Sequence, residues 1–387
     1  MDMTTKVTKY LEENPLENPT LFLDLSVVSS KYSLFKLNFP YAKIHYAVKC
    51  NPEPSVIKTL LNQGSYFDTA SIEEIELCLS QGVLPEKMCF GSTIKKSKAI
   101  KKAFDYGVQI FAFDSEQELI KIAENAPGSK VYCRLLIEDL SALVPLTNKF
   151  GCTTEMAVSL MRKARELGLN PYGLSFHTGS QQINVNAFDN AIKMAYEVSI
   201  TLKSFGIDIR LINMGGGFPA YGYDHEERVP DLSEYKAVIE SSFINHFGEQ
   251  ISNYEIFFEP GRYLVADAGI IKTEVILIAE KCLKRDSSWL YIDTGVWTGL
   301  GESSMAGEIK YKLNYLNHEL RGDFKEALIG GPTCDGVDIM SKTIKYKYPK
   351  SLSSGDTILI ESCGAYSKTM CAINFNGFRP LDIVIFE

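Results

Sequence analysis

The chain has 387 residues, of which 45% are hydrophobic and 23% are charged, so a large buried core and a globular fold are expected. A net charge of −8 argues against nucleic acid as the main partner, because binding to phosphates requires a basic surface. The sequence contains no apolar run of about 18 residues and no apolar N-terminal stretch, which argues against a membrane span and a secretory signal.

Short apolar segments alternate with amphipathic stretches from Ile44 to Arg262. The apolar segments predict eight strands, at residues 44–49, 66–69, 88–91, 109–113, 130–136, 172–177, 210–214 and 254–259. Helical periodicity lies between most of them, for example at residues 72–79, 116–124, 156–167 and 187–205. Eight strands alternating with helices predict an α/β fold, a TIM-like (β/α)8 barrel, with a doubly wound open sheet as the alternative.

The pattern changes after Ala268 to one that is typical of a mostly β domain. Strands are predicted at residues 269–277, 289–292, 357–361 and 382–386, with turns that contain Gly or Pro between them. The apolar segment TLFLDL, before Ser26, could add a strand to this part of the chain. We therefore predict a barrel domain at residues 26–265 and a β-rich domain formed by residues 1–25 with 266–387.

The nine cysteines include no CxxC pair and no spacing typical of a zinc site, so no metal centre is predicted. Nine is an odd number, so the cysteines cannot all be paired within one chain. Free thiols in a reducing cytoplasm are the simplest interpretation.

Charged and polar residues follow the predicted barrel strands. In a β/α barrel the C-terminal ends of the strands meet at one mouth, where catalytic groups lie. These ends supply, in chain order, Lys49, Asp68, Arg134, His177, Ser180, Gly216, Gly217, Glu259, Gly261 and Arg262. Alone, each has an ordinary explanation, such as a surface lysine, a core histidine or a glycine turn. The prediction of a site depends on all of them falling at strand ends.

This set of groups suits a phosphorylated aldehyde cofactor. A lysine amine can form a Schiff base with a carbonyl group. Glycine-rich loops expose N–H groups that bind phosphate, and arginine pairs with phosphate oxygens. A carboxylate that faces a pyridine nitrogen keeps that nitrogen protonated.

The motifs resemble those of the fold-type III pyridoxal-phosphate-dependent decarboxylases, the ornithine-decarboxylase-like group, from about Thr20 to Pro380. The similar segments are YAVKCNPEP, FDTASIEEI, FHTGSQ, GGGFP, EPGRYLV, GPTCDGVD, CGAY and FNGFRP. The resemblance implies pyridoxal 5′-phosphate as the cofactor and a barrel of the alanine-racemase type with a β-rich domain. It also implies a homodimer with shared active sites.

The resemblance assigns a role to each motif residue. Lys49 would carry the cofactor, Glu259 would face its pyridine nitrogen, and His177 would lie against its ring. Asp68 would lie near the lysine, and Arg134 would belong to the same cofactor site. The phosphate would be bound by Ser180, Gly216, Gly217, Gly261, Arg262 and Tyr366.

The C-terminal motifs would serve the substrate. Cys334 would donate a proton, Asp335 would bind the substrate, and Phe375 would line its pocket, all in the active site of the partner subunit. Diaminopimelate decarboxylases usually carry a CESGD-type segment in place of GPTCD, and alanine racemases lack the Cys-Asp segment. The sequence therefore resembles the decarboxylases of basic amino acids. A non-catalytic homologue that binds the cofactor is the alternative class, against which Lys49, Cys334 and Asp335 argue.

One position departs from the family pattern. Thr294 lies where ornithine decarboxylases often carry an aspartate that holds the distal amine of the substrate, and the nearest carboxylates are Asp293 and Glu302. Two substrates are therefore considered. One is free ornithine or lysine, bound by Asp335 with Asp293 or Glu302. The other is an N-acylated ornithine, such as the citryl-ornithine of carboxylate siderophore biosynthesis.

Overall fold

A computed structural model of the chain describes residues 2–137, 141–143, 149–225, 227–282, 288–305, 309–318 and 323–387. The chain separates into two compact units. One comprises residues 29–219 and 229–261, and the other comprises residues 1–28, 220–228 and 262–387. The grouping differs from the domains predicted from the sequence mainly in residues 220–228, which belong with the C-terminal part of the chain.

The secondary structure contains strands and helices throughout both units. The strands are β1 Thr20–Asp24, β2 Lys43–Ala47, β3 Tyr66–Thr69, β4 Met88–Phe90, β5 Ile110–Phe113, β6 Lys130–Arg134, β7 Asn170–Ser175, β8 Leu211–Asn213, β9 Glu255–Phe258, β10 Gly269–Glu280, β11 Ser288–Ile292, β12 Leu313–Tyr315, β13 Phe324–Gly330, β14 Tyr346–Pro349, β15 Thr357–Glu361 and β16 Asp382–Phe386. The helices are α1 Met3–Glu13, α2 Leu25–Asn38, α3 Pro54–Asn62, α4 Ile72–Ser80, α5 Ser97–Asp105, α6 Glu116–Asn125, α7 Thr154–Glu166, α8 Asn186–Ser204, α9 Leu232–Phe247, α10 Arg262–Val265 and α11 Gly301–Met305.

Strands β2 to β9 form a closed barrel of eight parallel strands, in which β2 pairs with both β3 and β9. The predicted barrel is confirmed, and the open sheet that was its alternative is wrong. Parallel strands are buried on both faces, which explains why they are short, continuous apolar runs in the sequence. Inside the barrel, a core cluster is formed by Cys89, Ala112, Tyr132, Tyr172, Leu211 and Phe257.

Six of the eight barrel strands end one or two residues earlier than predicted, among them β2 and β7, where this leaves a predicted site residue outside the strand. β2 ends at Ala47, and Lys49 lies in a 3₁₀ turn, Val48–Cys50, because the Asn51 N–H donates to the Val48 carbonyl. β7 ends at Ser175, so His177 lies in the following loop. Both side chains are therefore carried by irregular backbone just beyond a strand.

The other unit contains an eight-stranded sheet. Its strands follow the order β12-β15-β10-β11-β13-β14, and β1 pairs with β10 and with β16. The strands predicted at residues 357–361 and 382–386 are confirmed with the same bounds, and the first five residues of TLFLDL form β1, while Leu25 begins α2. All five residues of β1 are buried, as expected for a strand with a neighbour on each side.

Helix α1 was not predicted from the sequence. Asp2 caps it by accepting a hydrogen bond from the Thr5 N–H, and Val7 packs with Phe22, Ile270 and Leu359 in the core of the sheet unit. Among the helices that the structure describes, none is long and apolar enough to cross a membrane.

Candidate active site

Lys49 lies at the C-terminal end of β2, at the mouth of the barrel. Its side chain is 45% exposed, and its Nζ lies 3.5 Å from Oδ2 of Asp68, at the end of β3. Desolvation opposes the positive charge, but the carboxylates of Asp68 and Glu259 outweigh it and raise the pKa of Lys49 above its usual value. The structure thus places a charged, accessible amine against a buried carboxylate.

Glu259 follows β9 and faces the same space. Burial, reinforced by the Asp68 carboxylate, raises the pKa of Glu259 to about 7. The Asn213 amide donates to Oε1 of Glu259, and Oδ1 of Asn213 accepts from the Gly215 N–H at 2.9 Å. A half-buried, desolvated carboxylate of this kind is stabilised by a cationic partner.

Asn213 was not identified from the sequence. It is fully buried at the last position of β8, where an apolar side chain would be usual. A polar residue at that position, two residues before the triple glycine, was the signal that could have identified it.

His177 follows β7, and its Nδ1 accepts a hydrogen bond from the Gly179 N–H at 3.0 Å. The ring proton of the neutral form therefore lies on Nε2. Burial, with the nearby cations of Arg134 and Lys49, lowers the pKa of His177 well below its usual value. The site thus contains a neutral imidazole beside a lysine and two carboxylates.

The triple glycine passes close to two other loops of the barrel. A Cβ on Gly216 would lie 2.6 Å from the Glu259 carbonyl, and one on Gly217 would lie 2.4 Å from the Gly179 carbonyl. Gly217 also has a φ of +102°, which favours glycine. Beside it is the Thr178 hydroxyl, which is buried and has no hydrogen-bond partner among the residues that the structure describes. Backbone and hydroxyl groups therefore converge here without bulky side chains.

Three further predicted residues lie in the barrel unit. The Arg134 guanidinium lies 5.3 Å from the Phe150 ring centroid, and Ser180 is half-buried in the loop after β7. Gly261 packs against Cys50, whose Cβ would be 3.0 Å from a Cβ on the glycine. Each lies in or beside a loop that follows a barrel strand.

Arg262 and Tyr366, both predicted to bind phosphate, lie together in the sheet unit. The buried Arg262 guanidinium forms a bidentate ion pair with Glu302 and donates to the Tyr223 hydroxyl at 3.0 Å. Its Cζ lies 4.9 Å from the Tyr366 ring centroid. The pairing with Glu302 was not predicted, and it gives Arg262 an anionic partner within its own unit.

Cys334 and Phe375 lie in neighbouring segments of the sheet unit. The Cys334 thiol is exposed, and its backbone N–H donates to Oδ1 of Asn376 at 3.1 Å. The Phe375 ring lies 5.2 Å from the Trp297 ring, centroid to centroid. The structure thus brings together the two motifs predicted to serve the substrate.

The carboxylates predicted to bind the substrate accept hydrogen bonds from neighbouring residues of the chain. Oδ1 of Asp293 accepts from the Thr273 hydroxyl and, at 2.8 Å, from the Glu274 N–H. Asp335 accepts from the Val337 N–H at 3.0 Å. The Thr294 side chain is fully buried, and its hydroxyl has no partner in the described part of the chain.

Asp338 connects the segment that carries Cys334 with the turn that follows β11. Its buried carboxylate accepts from the Val296 N–H at 2.7 Å and from the N–H and hydroxyl of Thr333 at 3.0 and 2.7 Å. A Cβ on Gly295 or Gly331 would lie 2.1 or 2.3 Å from Asp338 Oδ1. Both glycines therefore leave space for this carboxylate.

We expect Asp338→Ala to lower the free energy of unfolding by about 3 kcal/mol, because three donors lose their acceptor and each buried unsatisfied group costs about 1–3 kcal/mol. Urea unfolding followed by circular dichroism measures the change. Asp338→Asn, which keeps one acceptor oxygen, should lose less. An alanine variant as stable as the wild type would contradict the assigned role.

Comparison with known proteins gives consistent similarities. Residues 25–266 match the family model described as the pyridoxal-binding domain of pyridoxal-dependent decarboxylases. The chain is 30% identical over 375 residues to the lysine/ornithine decarboxylase of Selenomonas ruminantium, covering 96% of this chain and 90% of that protein.

Solved structures are similar over nearly the whole chain. The arginine decarboxylase of Paramecium bursaria Chlorella virus is 28% identical, with a TM-score of 0.89 and coverage of 99% of this chain and 100% of that one. A mutant of SrLDC in complex with PLP is 30% identical, with a TM-score of 0.88 and coverage of 100% and 96%.

Proposed function

Because the chain belongs to the pyridoxal-dependent decarboxylase family, we propose that it decarboxylates a basic L-amino acid, ornithine or lysine, to the corresponding amine. The observation that carries the proposal is the grouping of Lys49, Asp68, His177 and Glu259 at one end of the barrel. The substrates named for the relatives, lysine and ornithine in one and arginine in another, support a basic amino acid.

The residues at the barrel mouth fit pyridoxal 5′-phosphate. Lys49 offers an amine for the aldehyde, and Glu259 is a half-buried carboxylate that a protonated pyridine nitrogen would stabilise. Gly216 and Gly217 leave open backbone beside the buried Thr178 hydroxyl, which no described residue contacts by a hydrogen bond and which suits phosphate oxygens. Ser180, Gly261, Arg262 and Tyr366 are proposed as further phosphate ligands, and Asp68 and Arg134 complete the cofactor site.

When bound, the cofactor supplies an electron-withdrawing ring that accepts the electron pair left when the α-carboxylate departs as CO2. Glu259 holds the proton at the pyridine nitrogen, which strengthens that withdrawal. His177 offers a neutral ring surface, which adds no positive charge. Asp68 orients the Lys49 nitrogen, and Cys334 Sγ delivers a proton to the carbon that has lost CO2.

We propose that the active form is a homodimer in which Cys334, Asp335 and Phe375 of one subunit serve the active site of the other. The surface around these residues supports an interface, because large apolar side chains are exposed there. Val337 is 44% exposed, and Ile373 is 78% exposed. The Cys334 thiol is exposed, as the proposal requires of a group that serves the partner's site.

Mixing inactive Lys49→Ala subunits with inactive Cys334→Ala subunits should restore activity. The mixture should reach up to about a quarter of the activity of the same amount of wild-type protein. Random exchange makes half of the dimers mixed, and each mixed dimer has one site with neither substitution. Decarboxylation is measured after exchange has been verified by mass spectrometry of the mixed dimer. Absence of recovery despite proven exchange would rule out shared sites.

A second candidate substrate is an ornithine whose distal nitrogen is acylated, for instance by a citrate-like acid. One observation favours it, since Glu302 is ion-paired with Arg262 and Asp293 accepts from Thr273 and Glu274. A free distal ammonium is costly to bury without an anionic partner. An acylated nitrogen does not need that partner.

A panel of ornithine, lysine, arginine, diaminopimelate and N-citryl-ornithine tests the function. CO2 release by the cofactor-loaded protein should have its highest kcat/KM with ornithine or lysine, at least tenfold above diaminopimelate, which is about 1.4 kcal/mol of discrimination. Lys49→Ala is the control. A higher kcat/KM for the citryl substrate would favour the second candidate, and no turnover of any compound would refute a decarboxylase of this substrate class.

We also propose that the protein works in a reducing compartment such as the cytoplasm. All nine cysteines are free thiols in the structure. Even Cys133 and Cys152, whose sulfur atoms lie 3.5 Å apart, share a hydrogen bond rather than a disulfide.

A further inference from the structure

We propose that Cys89, on β4, is a positioning residue whose buried thiol holds the Asp68 carboxylate in the orientation that meets Lys49. The inference rests on the proposed function only in taking Lys49 as the lysine that binds the cofactor. Cys89 is not part of the cofactor site described above, and it acts through Asp68.

The Asp68 carboxylate is held from two sides. Its Oδ2 faces Lys49 Nζ at 3.5 Å, and its Oδ1 accepts from the Cys89 thiol at 3.7 Å, within range for a sulfur donor. Within the described residues these two side chains are its hydrogen-bond donors. Asp68 is only 4% exposed, so solvent offers little replacement if either donor is lost.

The strand geometry places the two side chains next to each other. Asp68 and Cys89 are lateral partners in the parallel pairing of β3 with β4. Directly after β4 the chain passes so close to the carboxylate that a Cβ on Gly91 would lie 1.9 Å from Asp68 Oδ1. The thiol is therefore the group of β4 that reaches this oxygen.

The barrel interior surrounds the thiol: besides Asp68 Oδ1, the Cys89 sulfur has the Phe67 carbonyl at 3.8 Å and Nδ1 of His45 within range. The Cys89 sulfur lies 3.7 Å from Nδ1 of His45, whose ring is stacked between Tyr66 and Phe257 at centroid distances of 5.0 and 4.2 Å. Burial lowers the pKa of His45 to about 3, so its ring is neutral. Burial, then the Asp68 and Glu259 carboxylates, raises the pKa of Cys89 well above its usual value and keeps the thiol protonated as a donor.

Several charged and titratable groups surround Lys49 and Asp68, so the charge on the Lys49 nitrogen depends on which way the Asp68 carboxylate points. A carboxylate oxygen of Asp68, a carboxylate oxygen of Glu259 and the Cys89 sulfur all lie within 4.8 Å of one another. The titratable groups that face the Lys49–Asp68 pair are Glu74 of α4, Cys89 of β4, Tyr132 and Arg134 of β6, His177 after β7, Glu259 after β9 and, behind the thiol, His45 of β2.

Loss of the thiol donor should weaken the contact between Asp68 and Lys49. A carboxylate with one unsatisfied oxygen turns toward other donors, such as the buried Tyr132 hydroxyl, which has no partner among the described residues. It then spends less time against the Lys49 nitrogen. A cation that loses part of its anionic partner gives up its proton at lower pH.

The test is a pH titration of the visible absorbance of the full-length holoenzyme, whose midpoint reports the proton on the Lys49 nitrogen. Cys89→Ala should lower this midpoint by roughly 0.5–1 pH unit, a fraction of the 1–3 units that a close opposite charge contributes. Cys89→Ser, which keeps a donor, should return it toward the wild-type value. Cys78→Ala, which removes another fully buried thiol of the same unit, is the matched control and should leave it unchanged.

A double-mutant cycle separates positioning from general damage to the barrel. Asp68→Asn alone should lower the midpoint by about 1–3 units, and adding Cys89→Ala should change it no further. An unshifted Cys89→Ala midpoint, a shift that persists in the Asp68→Asn background, or no recovery with serine would each overturn the proposal. The readout is independent of CO2 release, so a protein that binds the cofactor but decarboxylates nothing would refute the proposed function and leave this inference standing.

Discussion

Lys49→Ala is expected to abolish both the visible absorbance of the cofactor-bound protein and its decarboxylase activity. The amine of Lys49 is the nucleophile offered to the cofactor aldehyde at the barrel mouth, and alanine has none. Turnover should fall to the uncatalysed background, a loss of roughly 10⁶-fold or more. Absorbance spectra after incubation with pyridoxal phosphate and a CO2-release assay measure the two effects.

Two further variants test whether the amine itself, rather than a positive charge in or just after β2, is required. Lys49→Arg keeps a positive charge beside Asp68 but should fail equally, because a guanidinium does not form an imine. Lys43→Ala removes a lysine from the opposite end of the same strand, where it pairs with Glu255, and should keep the absorbance. Near-wild-type turnover by the Lys49→Ala protein would show that another group binds the cofactor.

Glu259→Gln is expected to bind the cofactor but to lose kcat by roughly 10²–10³-fold, or about 2.7–4 kcal/mol. The substitution keeps the shape of the side chain and the contact with Asn213, but it removes the negative charge. Burial already raises the pKa of Glu259 to about 7, so the charged form needs a cationic partner, and the protonated pyridine nitrogen would be that partner. Steady-state kinetics with saturating cofactor measure the loss.

The matched control for Glu259 lies on the same strand. Glu255 begins β9, pairs with Lys43 and accepts from Tyr172, so Glu255→Gln tests damage to the strand without changing the barrel mouth. It should keep kcat within about twofold of the wild type. An unchanged kcat in Glu259→Gln would mean that this carboxylate does not face the pyridine nitrogen.

The barrel was predictable because strands buried on both faces leave continuous apolar runs, and the helices between them are amphipathic. The residues at the strand ends were predictable for a related reason. A charged or glycine residue that interrupts such a run, as at Lys49 or Glu259, marks the point where the strand ends. Exact strand ends were less predictable, because local hydrogen bonds such as Asn51 N–H to Val48 carbonyl decide them.

The partners of these residues could not be predicted, because they depend on the closed fold. Cys89 has the apolar character of a core residue in the sequence, and only the pairing of β3 with β4 shows that it donates to Asp68. The ion pair between Arg262 and Glu302 joins positions 40 residues apart. Neither spacing nor composition distinguishes such a pair from many others.

The position of β1 determines how late in synthesis this strand can pair with its final neighbour. β1 lies between β10 and β16, and its residues Thr20–Asp24 pair with Asp382–Phe386 at the other end of the sequence. At about 5–20 residues per second, a ribosome needs roughly 20–70 s to add the roughly 360 residues between the two strands. During that time the apolar β1 segment has left the ribosome without its final neighbour. The barrel strands are all synthesised before β16. The barrel therefore has its complete set of strands earlier than the sheet that contains β1.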